Sequence, residues 1–156
     1  MSVKESSVVH QVPLNTFNNG QQDIHCSLDV DEAPTVRILH VEDDLTIAAN
    51  TKEMLEQQGW QVDSCADANA GLARILSDAR YHFVLVDYRL PGLNGLELVK
   101  RARTLPHRAQ TPIAVISATP IEAEAKEAGA NLFLRKPQDI ASIANTIKRF
   151  IGERQQ

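Results

Sequence analysis

The sequence predicts an α/β fold built on a single parallel sheet, and three of its features support that prediction. Short apolar runs rich in Val and Ile recur from Val36 onward, as expected of strands buried on both faces of a sheet. Stretches with helical periodicity separate the runs, so that strand and helix alternate five times. Glycines punctuate the alternation, and Gly59 stands where a helix C-cap is expected. Strand–helix units joined by right-handed crossovers place helices on both faces of one sheet.

The predicted elements follow one another closely. In chain order they are strand 36–41, helix 45–58, strand 61–65, helix 67–79, strand 82–87, helix 95–103, strand 113–117, a short helix at 121–128, strand 131–135 and helix 138–151. Asp44 is a suitable N-cap for the first helix. The strand that ends at Asp87 is apolar throughout its centre, and Pro91, Gly92 and Gly95 then force a turn before the next helix. This is the flavodoxin-like, doubly wound arrangement of five strands.

Composition narrows the class of protein. The chain has 156 residues, of which 43% are hydrophobic, so one domain with one core is expected. Its net charge of −4 and the absence of a basic patch argue against a nucleic-acid partner. No apolar stretch approaches the length of a membrane span, and no signal peptide opens the chain. Cys26 and Cys65 are isolated, which favours a reducing compartment, and the cytoplasm is the expected location.

The first part of the chain differs from the rest. Residues 1–34 are rich in Ser, Asn, Gln and Asp and lack sustained periodicity, so we predict a flexible N-terminal extension. Residues 35–152 then form the folded domain. Because the chain stops at Gln156, soon after the last helix, a tethered output domain is not expected, and a signal would leave by contact with another protein.

Acidic residues follow two of the predicted strands. Glu42, Asp43 and Asp44 come directly after the first strand, and Asp87 ends the third. Open α/β sheets place their chemistry at the carboxyl ends of their strands, so neighbouring strands would bring these carboxylates together. Clustered carboxylates repel one another unless a cation neutralises them, and oxygen ligands of this kind suit Mg²⁺. Asp87 is therefore a candidate ligand, a candidate nucleophile or both.

A hydroxyl and an ammonium group are expected at the same edge. Ser117 ends the fourth strand, and Lys136 follows the fifth. A divalent cation, a carboxylate, a hydroxyl donor and a lysine together meet the needs of a phosphoryl group for charge neutralisation and directed hydrogen bonds.

The chain from about Val36 to Phe150 resembles the receiver domain of two-component response regulators. Four segments carry the resemblance, in order and each at a predicted strand end: Glu42-Asp43-Asp44, Asp87 with Pro91 and Gly95, Ser117-Ala118, and Lys136-Pro137. The resemblance implies that Asp87 is the phosphoacceptor and that Ser117 and Lys136 hold the phosphoryl group. It also implies that Mg²⁺ is bound by Glu42, Asp43, Asp87 and the backbone carbonyl of Arg89. Ser117 and Phe133 would be the switch residues, no other cofactor is implied, and the Lys136–Pro137 bond would be cis.

The sequence departs from the family pattern in three places. Ser117 and Lys136 are 19 positions apart, about three fewer than usual, so the fourth helix is expected to be shortened. Phe133 stands where Tyr is commoner, and it has no phenol hydroxyl. Arg89 and Thr119 occupy positions thought to tune the lifetime of the phosphoryl group.

The resemblance implies a phosphorelay switch with three kinds of partner. A histidine kinase or histidine phosphotransfer protein would supply the phosphoryl group to Asp87 in the presence of Mg²⁺. The downstream protein would bind the face formed by the fourth helix, fifth strand and fifth helix. The chain would not turn over a substrate as an enzyme; it would catalyse only its own phosphorylation from phosphodonors and slow self-dephosphorylation.

Two other functions stay open at this point. One is a Mg²⁺-dependent phosphohydrolase, similar to the haloacid-dehalogenase-like phosphatases, which need a second Asp two positions after the nucleophile; Arg89 stands there instead. The other is an unphosphorylated pseudo-receiver that acts as a docking module, an alternative that the shortened fourth helix keeps open.

Overall fold

The computed structural model describes residues 35–153 and contains one five-stranded parallel sheet. Its strands, in the order β2-β1-β3-β4-β5 across the sheet, are β1 (Arg37–Val41), β2 (Gln61–Cys65), β3 (Phe83–Asp87), β4 (Ile113–Ser117) and β5 (Leu132–Arg135). Five helices alternate with them: α1 (Leu45–Glu56), α2 (Ala68–Leu76), α3 (Gly95–Thr104), α4 (Glu122–Ala128) and α5 (Ile143–Gly152). The predicted flavodoxin-like, doubly wound fold with a short fourth helix is therefore confirmed.

Alternate residues along each strand feed two hydrophobic clusters, one on each face of the sheet. Leu39, Val84 and Val115 pack with α2, α3 and α4, whereas Ile38, Leu85 and Ile116 pack with α1 and α5. All five residues of β3 are buried, as are all five of β4. A rigid, fully covered central pair of strands fixes the position of whatever side chains stand at their ends.

Short polar side chains begin three of the helices. Asp44 accepts the backbone N–H groups of Thr46 and Ile47 at 2.9 and 3.0 Å, and Asp67 and Asn94 cap α2 and α3 in the same way. Each cap supplies an acceptor for N–H groups that have no partner within the helix. The expected N-cap role of Asp44 is confirmed, and Glu42 and Asp43 do not take part in this cap.

The start of the last helix was predicted too early. Residues 138–142 were expected to be α-helical, but α5 begins at Ile143, after a 3-10 turn at Ile140–Ser142. The reason lies in the preceding loop, where Asp139 N–H donates to the Arg135 carbonyl and Arg135 N–H donates to the Asp139 carboxylate. This pair of hydrogen bonds closes a turn at 135–139 that contains the cis Lys136–Pro137 bond.

The predicted N-terminal extension at residues 1–34 lies outside the described residues, and its boundary with the domain stays a prediction. Within residues 35–153, no helix combines the length and apolar character needed to cross a membrane.

Candidate functional site

Three carboxylates meet at the carboxyl ends of β1 and β3. These strands are direct neighbours in the sheet, so Glu42 and Asp43 emerge beside Asp87. One oxygen from each of the three carboxylates lies within 4.8 Å of the other two. Glu42 and Asp87 are 2% and 7% exposed, whereas Asp43 is exposed. The site is therefore a shallow acidic pocket whose floor is buried and whose rim is open to solvent.

A glycine allows α3 to begin close to this pocket. Gly95 is buried, and its backbone N–H donates to the Tyr88 carbonyl at 2.9 Å. A Cβ atom at this position would collide with the backbone carbonyl of Asp87. The absence of a side chain at Gly95 thus lets the loop after β3 fold back tightly around the carboxylate.

Lys136 bridges two of the carboxylates. Its Nζ lies 2.7 Å from Glu42 Oε2 and 3.1 Å from Asp87 Oδ2, and its side chain is only 17% exposed. Burial lowers the pKa of Lys136, but the hydrogen bond to Glu42 and the charge of Asp87 outweigh burial, so that the pKa is raised overall. The ammonium group therefore stays charged and is the counter-ion of the acidic pocket.

Glu42 is held by its surroundings in one position. Oε2 accepts from Lys136, and Oε1 accepts from the backbone N–H of Asp44 at 3.2 Å. Burial raises the pKa of Glu42, and the neighbouring charge of Asp87 acts in the same direction, against the lowering effect of Lys136. Because the carboxylate is costly to keep ionised here, a further cation near it would be favourable.

The opposite rim of the pocket contains Ser117, Thr119 and Arg89. Ser117 is buried at the end of β4, and its Oγ accepts the Thr119 backbone N–H at 2.9 Å. Among the described residues, this hydroxyl donates no hydrogen bond, so its own proton is available to an incoming acceptor. Thr119 Oγ1 in turn accepts from the Arg89 guanidinium at 3.2 Å, which joins the loops after β3 and β4 across the mouth of the pocket.

Phe133 lies on β5, two strands away from Asp87 on β3. It is opposite Val115 in the β4–β5 register, is partly buried, and lines a groove with Pro120, Ala123 and Lys126 of the α4 region. Ala118 is exposed beside Ser117, where its small side chain leaves the pocket open. The structure thus brings Glu42, Asp43, Asp87 and Lys136 into direct proximity, with Ser117 at a neighbouring strand end and Phe133 further out.

One buried residue near the site was not among the site residues predicted from the sequence. His40 is 1% exposed, and its Nδ1 is the only fully buried side-chain nitrogen or oxygen without a partner in the part of the chain that the structure describes. Burial and, to a smaller extent, the charge of Lys136 lower the pKa of His40 to about 4, so the ring is neutral at physiological pH. The signal was available, because His40 is a polar residue within a buried apolar strand and stands two residues before Glu42.

The donor set fits a hard divalent cation. The three clustered side chains supply only carboxylate oxygens, the ligand type that Mg²⁺ prefers, and an exposed member such as Asp43 leaves room for bound water. His40 is buried within β1 and is not part of this group of clustered ligands. Ligation by the Arg89 carbonyl stays a prediction.

Comparison with known proteins defines the class. Residues 38–148 match the family model described as the response regulator receiver domain. The chain therefore belongs to the response regulator receiver domain family. It is a receiver domain of two-component response regulators, and the matches favour neither the phosphohydrolase nor the docking-module alternative.

Some of the relatives are much longer than the matched region, and others consist of little more than that region. The chain is 33% identical over 120 residues to the transcriptional regulatory protein CrdR of Helicobacter pylori, and this alignment covers 75% of the chain and 55% of that protein. It is 28% identical over 116 residues to sporulation initiation phosphotransferase F of Bacillus subtilis, which covers 74% of this chain and 93% of that protein. The chain spans about half the length of the first curated relatives it matches, at 55%, 54% and 52%.

A solved structure has the same fold and contains the expected ion. The receiver domain of the sensor histidine kinase PA1611 from Pseudomonas aeruginosa, with a magnesium ion coordinated in its active-site cleft, is similar with a TM-score of 0.69 at 28% identity. The similarity covers 76% of this chain and 98% of that one.

Proposed function

We propose that the chain is a Mg²⁺-dependent phosphorylation switch in which Asp87 accepts a phosphoryl group from a histidine kinase or a histidine phosphotransfer protein. The observation that supports this most directly is the meeting of four charged side chains at one sheet edge: Glu42, Asp43, Asp87 and Lys136. A purely structural acidic cap would not need a partly buried lysine that contacts two carboxylates from different segments.

In the proposed reaction a carboxylate oxygen of Asp87 attacks the phosphorus of a phosphohistidine. The phosphorus–nitrogen bond breaks, the imidazole leaves with its electron pair and takes up a proton, and an acyl phosphate forms on Asp87. Lys136, already 3.1 Å from Asp87 Oδ2, would pair with the new phosphoryl oxygens. Ser117 would donate its unused hydroxyl proton to one of them.

Mg²⁺ would be held by Glu42, Asp43, Asp87 and the Arg89 carbonyl. When bound, the ion supplies positive charge that offsets the negative charge gathered on the phosphoryl group and the carboxylates. Lys136 is the only lysine or arginine within ion-pair distance of these carboxylates in residues 35–153. We expect the contact between Lys136 and Glu42 to weaken when Mg²⁺ is bound, because the ion then supplies part of the positive charge near Glu42.

Phosphorylation would then alter a protein-binding face. The new group adds a charge of about −1.5 to −2 beside Ser117. Ser117 and Phe133 would shift, and this would change the face formed by α4, β5 and α5, to which the downstream protein binds. The groove between Phe133 and α4 is part of that face. We expect no nucleic-acid or membrane partner for this domain, and we expect it to work in the cytoplasm.

Turnover of an external substrate is not part of the proposal. The residue two positions after Asp87 is Arg89, whose guanidinium donates a hydrogen bond to Thr119. An arginine side chain does not act as a general acid or base near neutral pH, so the second carboxyl group that such a phosphatase needs is missing. The chain would therefore phosphorylate itself from donors and lose the phosphoryl group slowly, without acting as a phosphatase.

Acetyl phosphate provides the test. We expect the wild type to become phosphorylated in the presence of Mg²⁺ but not after chelation, and we expect Asp87→Asn to remain unlabelled. Asp67→Asn is the matched control, because Asn preserves the N-cap of α2 and the variant should label normally. Equal labelling of wild type and Asp87→Asn would exclude Asp87 as the acceptor. Catalytic hydrolysis of an aryl phosphate would instead support the phosphohydrolase alternative.

A further inference from the structure

A second cavity opens at the end of the sheet away from the carboxylates. It has a volume of about 500 Å³, within the range of small-molecule sites, and is lined by residues that precede β3 and β4, including Tyr81, His82, Arg108 and Pro112. A five-residue strand is roughly 16 Å long, so this cavity and the Asp87 pocket occupy opposite edges of the sheet. The proposed phosphorylation does not use it.

The wall of the cavity contains a buried cation. Arg108 is 2% exposed, and its Nε donates to the Ile75 carbonyl at 3.0 Å. Its Nη2 donates to the carbonyls of Ser77 and Ala79 at 2.8 and 2.6 Å, and more distantly to Arg74. Within the described residues Nη1 donates no hydrogen bond, although the residue lines the cavity. Nη1 is also not among the fully buried atoms without a partner, so it keeps some exposed surface and is the part of this cation that a ligand in the cavity could contact.

Two further donors lie on the same wall. The Nδ1 atom of His82 accepts the Arg37 backbone N–H at 3.0 Å, so the neutral ring must have its proton on Nε2. Burial lowers the pKa of His82, and the neighbouring charge of Arg80 lowers it further, which keeps the ring neutral and Nε2 a donor. Arg80 is itself exposed and adds a positive charge to the lining of the cavity.

We propose that this cavity binds an oxyanion, the phosphate or carboxylate group of a small molecule, through Arg108, His82 and Arg80. The proposal is independent of phosphorylation at Asp87. Among the described residues that line the cavity, Asp78 is the one carboxylate, and its charge opposes binding of an anion. Removing its charge should therefore tighten binding, an effect opposite in sign to removing Arg80.

The test is a titration followed by ¹H–¹⁵N NMR in magnesium-free Tris chloride buffer, with inorganic phosphate and acetate as separate probes. We expect saturable shifts of the amides of 78–82 and 107–111 with at least one probe, and the stronger probe identifies the ligand class. Arg80→Gln should weaken binding about two- to fivefold, and Asp78→Asn should tighten it by a similar factor. Arg101→Gln removes the same charge from the exposed face of α3 and should have no effect.

These variants avoid the loss of fold that replacing Arg108 would risk, because Asp78 and Arg80 are both exposed. Three results would overturn the proposal: no saturable shift with either probe, equal shifts produced by added chloride, or affinities that Arg80→Gln and Asp78→Asn leave unchanged. Shifts confined to the amides around Asp87 would also overturn it.

Discussion

Replacing Lys136 by Met tests whether this lysine is the counter-ion of the acidic pocket. The substitution keeps the bulk of the side chain but leaves Glu42 and Asp87, 2% and 7% exposed, without their shared ammonium partner. Removing one partner of a buried ion pair typically costs 3–5 kcal/mol, and because the Lys136 side chain is 17% exposed we expect about 3 kcal/mol. Urea unfolding at pH 8 in the presence of a chelator measures the loss.

The effect has a predictable pH dependence. Without Lys136, the pKa of Glu42, which burial already raises, moves still further above its unfolded value. A carboxyl group whose pKa is raised in the folded state costs little stability below its unfolded pKa and increasingly more as the pH rises through the folded pKa. The deficit of Lys136→Met should therefore be largest at pH 8 and shrink as the pH falls toward 5.

Two comparisons control this experiment. Lys148→Met removes an exposed lysine of α5 and should change the free energy of unfolding by less than about 0.5 kcal/mol. Mg²⁺ should stabilise Lys136→Met more than the wild type, because the ion replaces the missing positive charge. If Lys136→Met were as stable as the wild type at pH 8 without metal, Lys136 would not be balancing the carboxylates.

Three other changes test the surrounding structure. Gly95→Ala places a Cβ atom against the backbone carbonyl of Asp87. It should lower the free energy of unfolding, measured with heat or urea, by about 1–3 kcal/mol and should slow labelling by acetyl phosphate. Unaltered stability would show that the loop can accommodate a side chain. Arg103→Met removes the donor to the carbonyls of Gly129 and the α3–β4 loop, and it should destabilise the fold by about 2–3 kcal/mol, whereas Arg101→Met should not. Burial and the hydrogen bond to Asp63 raise the pKa of Tyr81 to about 12. The free energy of unfolding should therefore be unaffected by this group below pH 10 and should fall by about 3 kcal/mol between pH 10 and 12, where the tyrosine ionises more readily in the unfolded chain. Tyr81→Phe should lack this fall.

The carboxylate site was predictable from the sequence because strand ends are predictable. Apolar runs such as Phe83–Asp87 define a buried strand, and parallel strands share one edge, so Glu42 and Asp87 were expected to converge if their strands are neighbours, as β1 and β3 are. The short α4 was expected from the family resemblance, because Ser117 and Lys136 are about three positions closer together than is usual in the family.

Features that depend on long-range contacts could not be predicted in this way. Arg108 donates to the carbonyl of Ile75, 33 positions earlier, and no local pattern distinguishes it from a surface arginine. The late start of α5 was hidden because residues 138–142 share helical periodicity with the helix, while the deciding bonds between Arg135 and Asp139 are specific to the turn.

The most direct measurement identifies the residue that accepts the phosphoryl group. Borohydride reduces an aspartyl phosphate to homoserine, so treating the acetyl phosphate-labelled protein and sequencing its peptides by mass spectrometry locates the acceptor. We predict homoserine at position 87 alone, and only when Mg²⁺ was present during labelling. Homoserine at 43 or at another aspartate, or at no position in a protein that is folded and has bound Mg²⁺, would contradict the proposed function.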